Sequence, residues 1–297
     1  MMKPKLSLNL IGCGKLGRTL AKLWLDNGGV EIGGIVTRHM ESAQQAIGFV
    51  GSGTYAQSIQ ELPKADIWLI ATPDSEIANA AQQLADAAVV TKGNVVFHCS
   101  GALPSSILAP LGNAGAKIAS AHPIHSFADP QRSLGTFKGT FCAVEGDQSA
   151  QDILIPLFEK VGARTFSLSS ENKPLYHAAT AVASNYLVTL LHTAASMLEK
   201  AGMQRKQALE MLEPIVLQTA SNTCQKDSVD ALTGPIARGD VGTIEQHLKA
   251  IASQSPEFDS LYRLLGEHTL PLAEIQGAAS KLALTQLAEL LSSPPKS

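Results

Sequence analysis

Residues 6–17 read LSLNLIGCGKLG. An apolar run that ends in Gly-x-Gly-x-x-Gly predicts a β-strand, a tight turn and the start of a helix. Gly12 permits the turn, Gly14 lets backbone N–H groups approach a phosphate, and Gly17 allows close packing of the helix on the strand. The alternative is a glycine-rich turn without a ligand. The segment predicts a Rossmann-type turn that binds a dinucleotide through Gly12, Cys13, Gly14, Lys15, Leu16 and Gly17.

Strand-like and helix-like segments alternate beyond this turn. Predicted strands cover residues 6–11, 30–37, 66–71, 94–99 and 117–122, with helical patterns at 15–27, 41–49, 75–90 and 104–111. Two more strand-like runs, 140–145 and 165–168, flank a helix near 150–160. Apolar strands that alternate with helices predict an α/β Rossmann domain with a doubly wound, mostly parallel sheet.

The strand patterns stop after residue 168. We therefore predict a Rossmann domain over residues 1–168 and an all-helical domain over 169–297. Residues 175–198 contain no Asp, Glu, Lys or Arg and would be long enough to span a bilayer. Because His177, Asn185 and His192 lie inside this stretch, a helix buried in a core or a subunit interface is the favoured interpretation.

Composition and charge indicate which classes of partner and which cellular compartment to expect. The chain has 297 residues, a net charge of −3 and a pI near 6.2, so no basic excess favours nucleic acid. The four cysteines are widely spaced without a Cys-x-x-Cys pair, which is typical of free thiols in a reducing compartment. The first residues lack a signal-peptide pattern. We expect a cytoplasmic protein with no membrane and no nucleic-acid partner.

The end of the second predicted strand bears on cofactor choice. An acidic residue there would hold the ribose hydroxyls of NAD, but this chain has Thr37 and Arg38. A guanidinium can hold a 2′-phosphate through paired charge-assisted hydrogen bonds. The sequence thus favours NADP over NAD, with a solvated surface arginine as the alternative.

Two more loops follow strands whose carboxyl ends should face the nicotinamide half of the cofactor. The first holds Ala71, Thr72 and Pro73, and the second holds Ser100. Ligands bind at this edge of doubly wound sheets. The alternative for each loop is an ordinary turn.

Three further segments carry a family resemblance: AHPIHSF at 121–127, LYHAATAVASN at 175–185 and LTGPIARGD at 232–240. With the glycine-rich turn, they resemble the Rossmann-like oxidoreductases with a C-terminal domain of unknown function 2520. That family lies in the superfamily of 6-phosphogluconate, 3-hydroxyisobutyrate and prephenate dehydrogenases and pyrroline-5-carboxylate reductase. The resemblance implies an all-α 6-phosphogluconate-dehydrogenase-like C-terminal domain, an NAD(P) cofactor and a homodimer. It implies no particular substrate.

The same resemblance directs attention to histidines. His122 precedes a proline, as in prephenate dehydrogenases, where such a histidine acts on the substrate hydroxyl; an imidazole suits this proton transfer. His177 and Ser184 are seven residues apart and share a helix face, with Asn185 beside them. Polar groups in so apolar a helix need a partner, either a ligand or another helix. We predict His122, His177 and Asn185 as catalytic and Ser184 as substrate-binding. The HxxH spacing at His122 lacks further metal ligands, so no metal is predicted.

One departure from the superfamily pattern bears on which side chain could act as the catalytic acid or base. Hydroxyacid dehydrogenases carry a lysine four residues before the helix asparagine, but this chain has Ala181 there, and Lys173 lies near the helix start. This favours a histidine acid or base, or a reductase that needs little acid help, as for an imine.

The segment 234–240 resembles a substrate loop of pyrroline-5-carboxylate reductases. Gly234 and Pro235 precede a helix start that could hold a carboxylate, and Arg238 could clamp it. The alternative is an Arg238–Asp240 surface pair.

These observations support an NADP-dependent oxidoreductase that acts on a small carboxylate-bearing substrate, a hydroxy acid or a cyclic imine, in a cleft between the domains. The alternative is a dinucleotide-binding sensor without turnover. A deazaflavin-linked reductase is a weaker alternative that shares the N-terminal pattern. Convergence of His122, His177 and Asn185 would favour the enzyme.

Overall fold

The structure is a computed structural model and describes residues 5–292. Its first part is built on one eight-stranded sheet, in the order β3-β2-β1-β4-β5-β6-β7-β8. The strands are β1 Leu6–Ile11, β2 Val30–Val36, β3 Thr54–Ala56, β4 Ile67–Ile70, β5 Val95–His98, β6 Lys117–Pro123, β7 Phe141–Gly146 and β8 Arg164–Ser167. The helices among and just after them are α1 Lys15–Asp26, α2 Met40–Val50, α3 Asp74–Asp86, α4 Ala109–Asn113, α5 Pro130–Thr136, α6 Gln148–Lys160 and α7 Lys173–Ala181.

The pairing confirms the predicted doubly wound, mostly parallel sheet. All pairs from β3 to β6 are parallel, β7 runs antiparallel to β6, and β8 is parallel to β7. The strand order reverses at β1 and β4, the kind of position where such sheets bind ligands. The three-residue strand β3 and the helix α5 were not predicted from the sequence.

Buried residues cover both faces of the sheet because side chains alternate along each strand. Leu69 and Phe97 belong to one apolar cluster, and their neighbours Trp68 and Val96 belong to the other. In the first cluster, Phe97 contacts two further aromatic rings edge to face, at centroid distances of 6.2 and 6.4 Å. The near-continuous apolar strands of the sequence are thus explained by burial on two sides.

A buried asparagine joins β1 to β2. The pairing shifts register between Leu8 and Leu10, so that Gly33 and Gly34 together lie opposite Asn9. Asn9 Oδ1 accepts a hydrogen bond from the Gly34 N–H at 2.7 Å, and its Nδ2 donates to the Pro63 carbonyl at 2.6 Å. A Cβ on Gly33 would lie 2.5 Å from Asn9 Oδ1. The amide side chain therefore replaces regular ladder bonds at a point where only glycines fit.

The contacts divide the chain into two compact units, Met1–Asn185 and Tyr186–Ser297. The first unit includes α7, which the predicted division at residues 168 and 169 assigns to the helical domain. In this unit α7 packs on the sheet through Lys173 and Tyr176, which contact residues of β6.

The described residues of the second unit form helices joined by short loops, without a strand. It contains α8 Leu187–Lys200, α9 Arg205–Lys226, α10 Ser228–Ala231, α11 Pro235–Arg238, α12 Val241–Ala252, α13 Pro256–Gln276 and α14 Lys281–Ser292. Its buried apolar cluster is formed by Ile244, Leu248, Leu287 and Leu291. Arg263 supports this packing: its Nε donates to the buried Asp259 carboxylate at 2.7 Å, and its Nη1 donates to the Leu290 carbonyl at 2.6 Å.

The long apolar stretch is exposed, contrary to one of the two predicted environments. The helix from Ser170 to Lys200 is long and apolar enough to cross a membrane, yet only 6% of its most apolar window is buried. It is therefore not a core helix of this chain. A π-helical turn, Val182–Tyr186, interrupts it between α7 and α8.

Candidate dinucleotide cleft and histidine site

A cleft of about 920 Å³ opens at the carboxyl ends of β1, β2 and β4. Gly12 begins the turn after β1 with φ of +76°, and a Cβ there would lie 2.9 Å from the Ala71 carbonyl oxygen. Gly17 lies in the first turn of α1, where a Cβ would approach the Ala71 side chain to 3.1 Å. Both glycines allow the turn and helix to approach Ala71, which directly follows β4, as the motif predicts.

Gly14 differs from these two glycines. It is the N-cap residue of α1, with φ of −70°. A Cβ at this position would meet nothing within 4 Å, and the residue lines the cleft. The free N–H groups at the start of α1 thus adjoin open space, which is the geometry that binds phosphate groups.

The far end of the cleft carries polar and basic side chains. Thr37, Arg38, His39 and Ser42 line it. Thr37 Oγ1 donates to the His39 carbonyl at 2.7 Å, while the exposed Arg38 side chain makes no ion pair within the described residues. A free guanidinium where NAD-binding domains place an acid suits a 2′-phosphate.

Two buried polar atoms of the cleft residues have no hydrogen-bond partner within the described residues: Thr72 Oγ1 and Arg18 Nε. Buried polar groups are otherwise nearly always satisfied, so both atoms are suited to a polar ligand bound in the cleft. A dinucleotide offers acceptor oxygens for the Arg18 guanidinium and polar atoms for the Thr72 hydroxyl. Sequence reasoning missed Arg18, although its place directly after the last glycine of the motif puts it in the first turns of α1.

The predicted cofactor residues do not all reach the cleft. The residues that line it are Gly12, Cys13, Gly14, Thr37, Arg38, Ala71, Thr72 and Pro73, whereas Lys15, Leu16, Gly17 and Ser100 do not. The Ser100 hydroxyl donates to Asp74 Oδ2 at 2.6 Å and accepts from the N–H groups of Ala102 and Leu103. Its single donor is therefore committed to organising the loop.

A histidine site lies at the end of β6 in the same unit. His122 Nδ1 is 2.7 Å from the Tyr176 hydroxyl, and the two rings meet edge to face at 5.5 Å. The His177 ring lies 5.6 Å from the His122 ring. A Cβ on Gly101 would lie 2.9 Å from His122 Nε2 and would clash with His177 Nδ1. Gly101 therefore lets both imidazoles approach the loop after β5.

Burial disfavours the charged forms of His122 and Tyr176. It lowers the pKa of His122 to about 4, and the nearby charges of His177 and Lys173 act in the same direction. Burial raises the pKa of the Tyr176 hydroxyl, so the phenol stays protonated. A neutral imidazole held at Nδ1 by a phenol keeps Nε2 available to exchange a proton with a ligand.

The structure brings His122 and His177 together and adds Tyr176, which was not predicted from the sequence; no contact joins Asn185 to these rings within the described residues. The position of Tyr176 directly before His177 in the conspicuous stretch 175–185 was the available signal. Ser184 and Asn185 lie exposed on the π-helical turn. The prediction that His177 and Ser184 share a face assumed an unbroken α-helix and was wrong in that premise, because a π-turn shifts the helical phase.

The second unit holds the other predicted substrate residues. Gly234 has φ of +101° and precedes α11, which begins at Pro235. Arg238 is exposed, and Asp240 caps α12 by accepting hydrogen bonds from the Thr243 N–H and hydroxyl at 3.1 and 2.7 Å. The same Thr243 hydrogen bonds lower the pKa of Asp240. No ion pair joins Arg238 to Asp240 within the described residues.

Two other histidines have structural contacts. His98 Nδ1 accepts from the Ser100 N–H at 3.1 Å, and Nε2 lies 3.3 Å from the Pro104 carbonyl. His125 lies between the hydroxyls of Thr136 and Thr140. Residues 5–292 hold no group of three or more His, Cys, Asp or Glu arranged to bind a metal.

Comparison with known proteins places these features in a family. A Rossmann-like domain model matches residues 1–123, and the model "Domain of unknown function (DUF2520)" matches residues 140–269. The chain is a Rossmann-like protein with a DUF2520 domain. This confirms the family resemblance and the predicted order of a Rossmann domain followed by helices. No curated protein matches the chain.

Solved structures share this fold over nearly the whole chain. A candidate NADP oxidoreductase from Bacteroides fragilis is 23% identical, with a TM-score of 0.75 over 92% of this chain and 98% of that one. A protein from Thermotoga maritima is 25% identical, with a TM-score of 0.68 and coverages of 91% and 99%. A 1-pyrroline-5-carboxylate reductase from Streptococcus pyogenes is 17% identical, with a TM-score of 0.62 and coverages of 96% and 99%.

Proposed function

We propose that this protein is an NADP-dependent oxidoreductase that acts on a small carboxylate-bearing substrate. The observation that carries the proposal is that the cleft at the glycine-rich turn and the half-buried His122–Tyr176 pair lie at the carboxyl ends of strands in one sheet. Structures of the same fold named as an NADP oxidoreductase and a pyrroline carboxylate reductase support this direction.

The cofactor site follows from the cleft. The turn at Gly12 and Gly14 would hold the pyrophosphate, Arg18 would contribute its unpaired guanidinium nitrogen, and Thr37 and Arg38 would hold the 2′-phosphate. When bound, the nicotinamide supplies or accepts a hydride. The cleft residues hold and orient the dinucleotide.

Proton transfer is assigned to the histidine site. Neutral His122 can accept a proton at Nε2 from a hydroxyl that is being oxidised, and its protonated form can donate one to an imine that is being reduced. Tyr176 holds the other ring nitrogen, at 2.7 Å. His177 lies beside both and supplies a second imidazole.

The proposal also assigns substrate recognition to exposed polar residues of both units. Ser184 and Asn185 offer exposed hydroxyl and amide groups, and the turn at Gly234 and Pro235 with Arg238 offers donors for a carboxylate. Arg238→Met should raise the KM for a carboxylate substrate without changing NADPH affinity, and an unchanged KM would remove Arg238 from the site.

Calorimetry with NADPH and NADH tests the cofactor assignment. Arg38→Ala should weaken NADPH binding about tenfold or more, as loss of charge-assisted hydrogen bonds implies, and should leave NADH binding unchanged. Arg132→Ala removes an exposed arginine of α5 that does not line the cleft and is the matched control. Tighter binding of NADH than NADPH by the unaltered protein would contradict the choice of NADP.

A dinucleotide-binding sensor without turnover is the second candidate. The cleft alone would be sufficient for such a protein, which would not need a group for proton transfer such as His122 paired with Tyr176. NADPH binding that no small carboxylate or imine sharpens, with no oxidation of NADPH by any of them, would favour the sensor.

We also propose that the chain forms a homodimer through its helical unit. Val188 on α8 and Ile215 and Leu217 on α9 are 62–68% exposed, and the two helices contact each other. Burying each such side chain is worth about 1.5–3 kcal/mol. Charged residues along α9, such as Glu210 and Glu213, favour a second copy over a lipid bilayer. Val188→Glu should yield monomers in sedimentation experiments and Lys281→Glu should not; dimers in both variants would contradict the assignment.

A further inference from the structure

Lys173, the first residue of α7, is fully buried. Its Nζ donates to the Ser100 carbonyl at 3.0 Å and to Ser120 Oγ at 2.8 Å, and lies 3.9 Å from Glu145 Oε1. Taking an ammonium group out of water is costly unless hydrogen bonds and an opposite charge compensate. Burial lowers the pKa of Lys173, and the Glu145 carboxylate opposes that shift. The proposed reaction makes no use of this group.

The contacts of Lys173 reach β6, β7 and the loop after β5. Ser120 of β6 is paired with His98 of β5 and with Glu145 of β7. Glu145 in turn accepts hydrogen bonds from the Ser105 N–H at 2.6 Å and from its hydroxyl at 2.7 Å. The ammonium therefore ties the start of α7 to a continuous polar row across β5, β6 and β7.

The helix then places the histidine site one turn later. Tyr176 and His177 follow Lys173 by three and four residues, so all three lie on one face of α7. On β6, Ser120 and His122 are two residues apart and point to the same side of the sheet. The Lys173–Ser120 contact and the Tyr176–His122 contact are therefore successive steps of the same helix-to-strand packing.

We propose that Lys173 is a positioning residue: its ammonium anchors α7 to Ser100, Ser120 and Glu145 and so holds Tyr176 and His177 against His122. Because its Nζ is enclosed by these partners, Lys173 does not reach a substrate. The relevance to catalysis rests on the proposed function. The packing itself does not.

The charge of Lys173 gives the proposal a measurable signature. Among the groups around His122, the charges of Lys173 and His177 disfavour its protonation, and Asp74 favours it. The neutral Tyr176 hydroxyl contacts its other side. Removing the ammonium should therefore make His122 easier to protonate, an effect that a lost packing contact alone would not produce.

The test uses ¹⁵N-histidine-labelled full-length protein and follows the His122 imidazole nitrogens by NMR from pH 8 to pH 5. In Lys173→Met/Glu145→Gln both charges are removed together, which avoids an unpaired buried carboxylate. Unaltered His122 should stay mostly neutral over this range. In the double variant its pKa should rise, because Lys173 and not Glu145 is among the charges that act on His122. Lys22→Met/Asp26→Asn removes an exposed ion pair of α1 and is the control.

Ser120→Ala is the second variant, because it removes one Lys173 acceptor and leaves both charges. It should weaken the Tyr176–His122 hydrogen bond and shift the His122 Nδ1 resonance, whether or not the double variant folds. A His122 titration unchanged in the folded double variant, or an Nδ1 resonance unchanged in Ser120→Ala, would overturn the positioning role. NADPH calorimetry on the same samples is independent: no binding by the unaltered protein would overturn the proposed function only.

Discussion

Replacing Gly14 with Val should abolish NADPH binding while leaving the fold stable. Gly14 has φ of −70°, and a Cβ there meets nothing within 4 Å, so the side chain is neither strained nor crowded. An apolar residue at this N-cap position costs about 0.5–1 kcal/mol. The new side chain would occupy the space beside the free N–H groups of α1. Losing two charge-assisted hydrogen bonds, at about 1.5–3 kcal/mol each, weakens binding by roughly two to four orders of magnitude.

Variants at two other glycines provide comparisons for the stability and NADPH binding of Gly14→Val. Gly12→Ala combines φ of +76° with a Cβ 2.9 Å from the Ala71 carbonyl oxygen, so it should destabilise the protein by about 2–4 kcal/mol. Gly28→Ala has φ of +63° with nothing within 4 Å, and Gly28 does not line the cleft. It should cost about 1 kcal/mol through backbone conformation alone and leave NADPH binding unchanged.

Tryptophan fluorescence in urea measures these stabilities. The chain has two tryptophans, Trp24 and Trp68, and both are fully buried in the first unit, so the signal reports the unfolding of that unit. Calorimetry measures NADPH affinity on the same samples. Binding by Gly14→Val within threefold of the unaltered protein, or a Gly12→Ala variant as stable as Gly28→Ala, would refute the reasoning.

Three more predictions concern buried and half-buried polar groups. Tyr176→Phe should cost about 1 kcal/mol and shift the His122 Nδ1 resonance in ¹⁵N NMR, and an unchanged resonance would exclude their hydrogen bond. Burial lowers the pKa of both His98 and His122 to about 4, below the unfolded value of 6.5, so the unfolded state binds more protons. The free energy of unfolding should therefore fall as pH drops from 6.5 towards 4, by about 1.4 kcal/mol per pH unit for each histidine; a flat profile in urea titrations at pH 7.5, 6.0 and 5.0 would contradict this. Arg263→Met leaves the fully buried Asp259 carboxylate unpaired and should destabilise the helical unit by about 3–5 kcal/mol in urea unfolding followed by circular dichroism, whereas a loss below 1 kcal/mol would show that the pair is dispensable.

Sequence signals predicted the sheet where burial leaves a local pattern. Strands buried on both faces are apolar at nearly every position, and the glycine-rich turn marks where the first of them ends. The strand β3 has only three residues, too few for a pattern. The helix α5 had a signal that was not used, since Asp129 caps it and Pro130 begins it. The antiparallel direction of β7 depends on long-range pairing and leaves no local trace.

The candidate site likewise includes residues that the sequence predicts and residues that it does not. His122 and His177 are conspicuous in an apolar context, so sequence reasoning could select them. Tyr176 joins them only through its contact with His122, which lies 54 positions earlier in the chain. The contact between Lys173 and Ser100 spans 73 positions. The π-turn arises in an ordinary run of residues, Val182–Tyr186, and nothing local predicts the phase that it imposes on Asn185.

The asparagine between β1 and β2 has a consequence for the evolution and engineering of this fold. The Asn9 amide replaces backbone pairing only while Gly33 and Gly34 leave room for it, so three positions on two strands must be inherited as a set. If the relative lacks the asparagine, a chimera that takes β1 from it and keeps the native β2 would leave the Gly34 N–H without its acceptor and an empty space beside Gly33. Recombination points within 9–34 should therefore yield few folded progeny, whereas exchanges that carry the whole block should be tolerated.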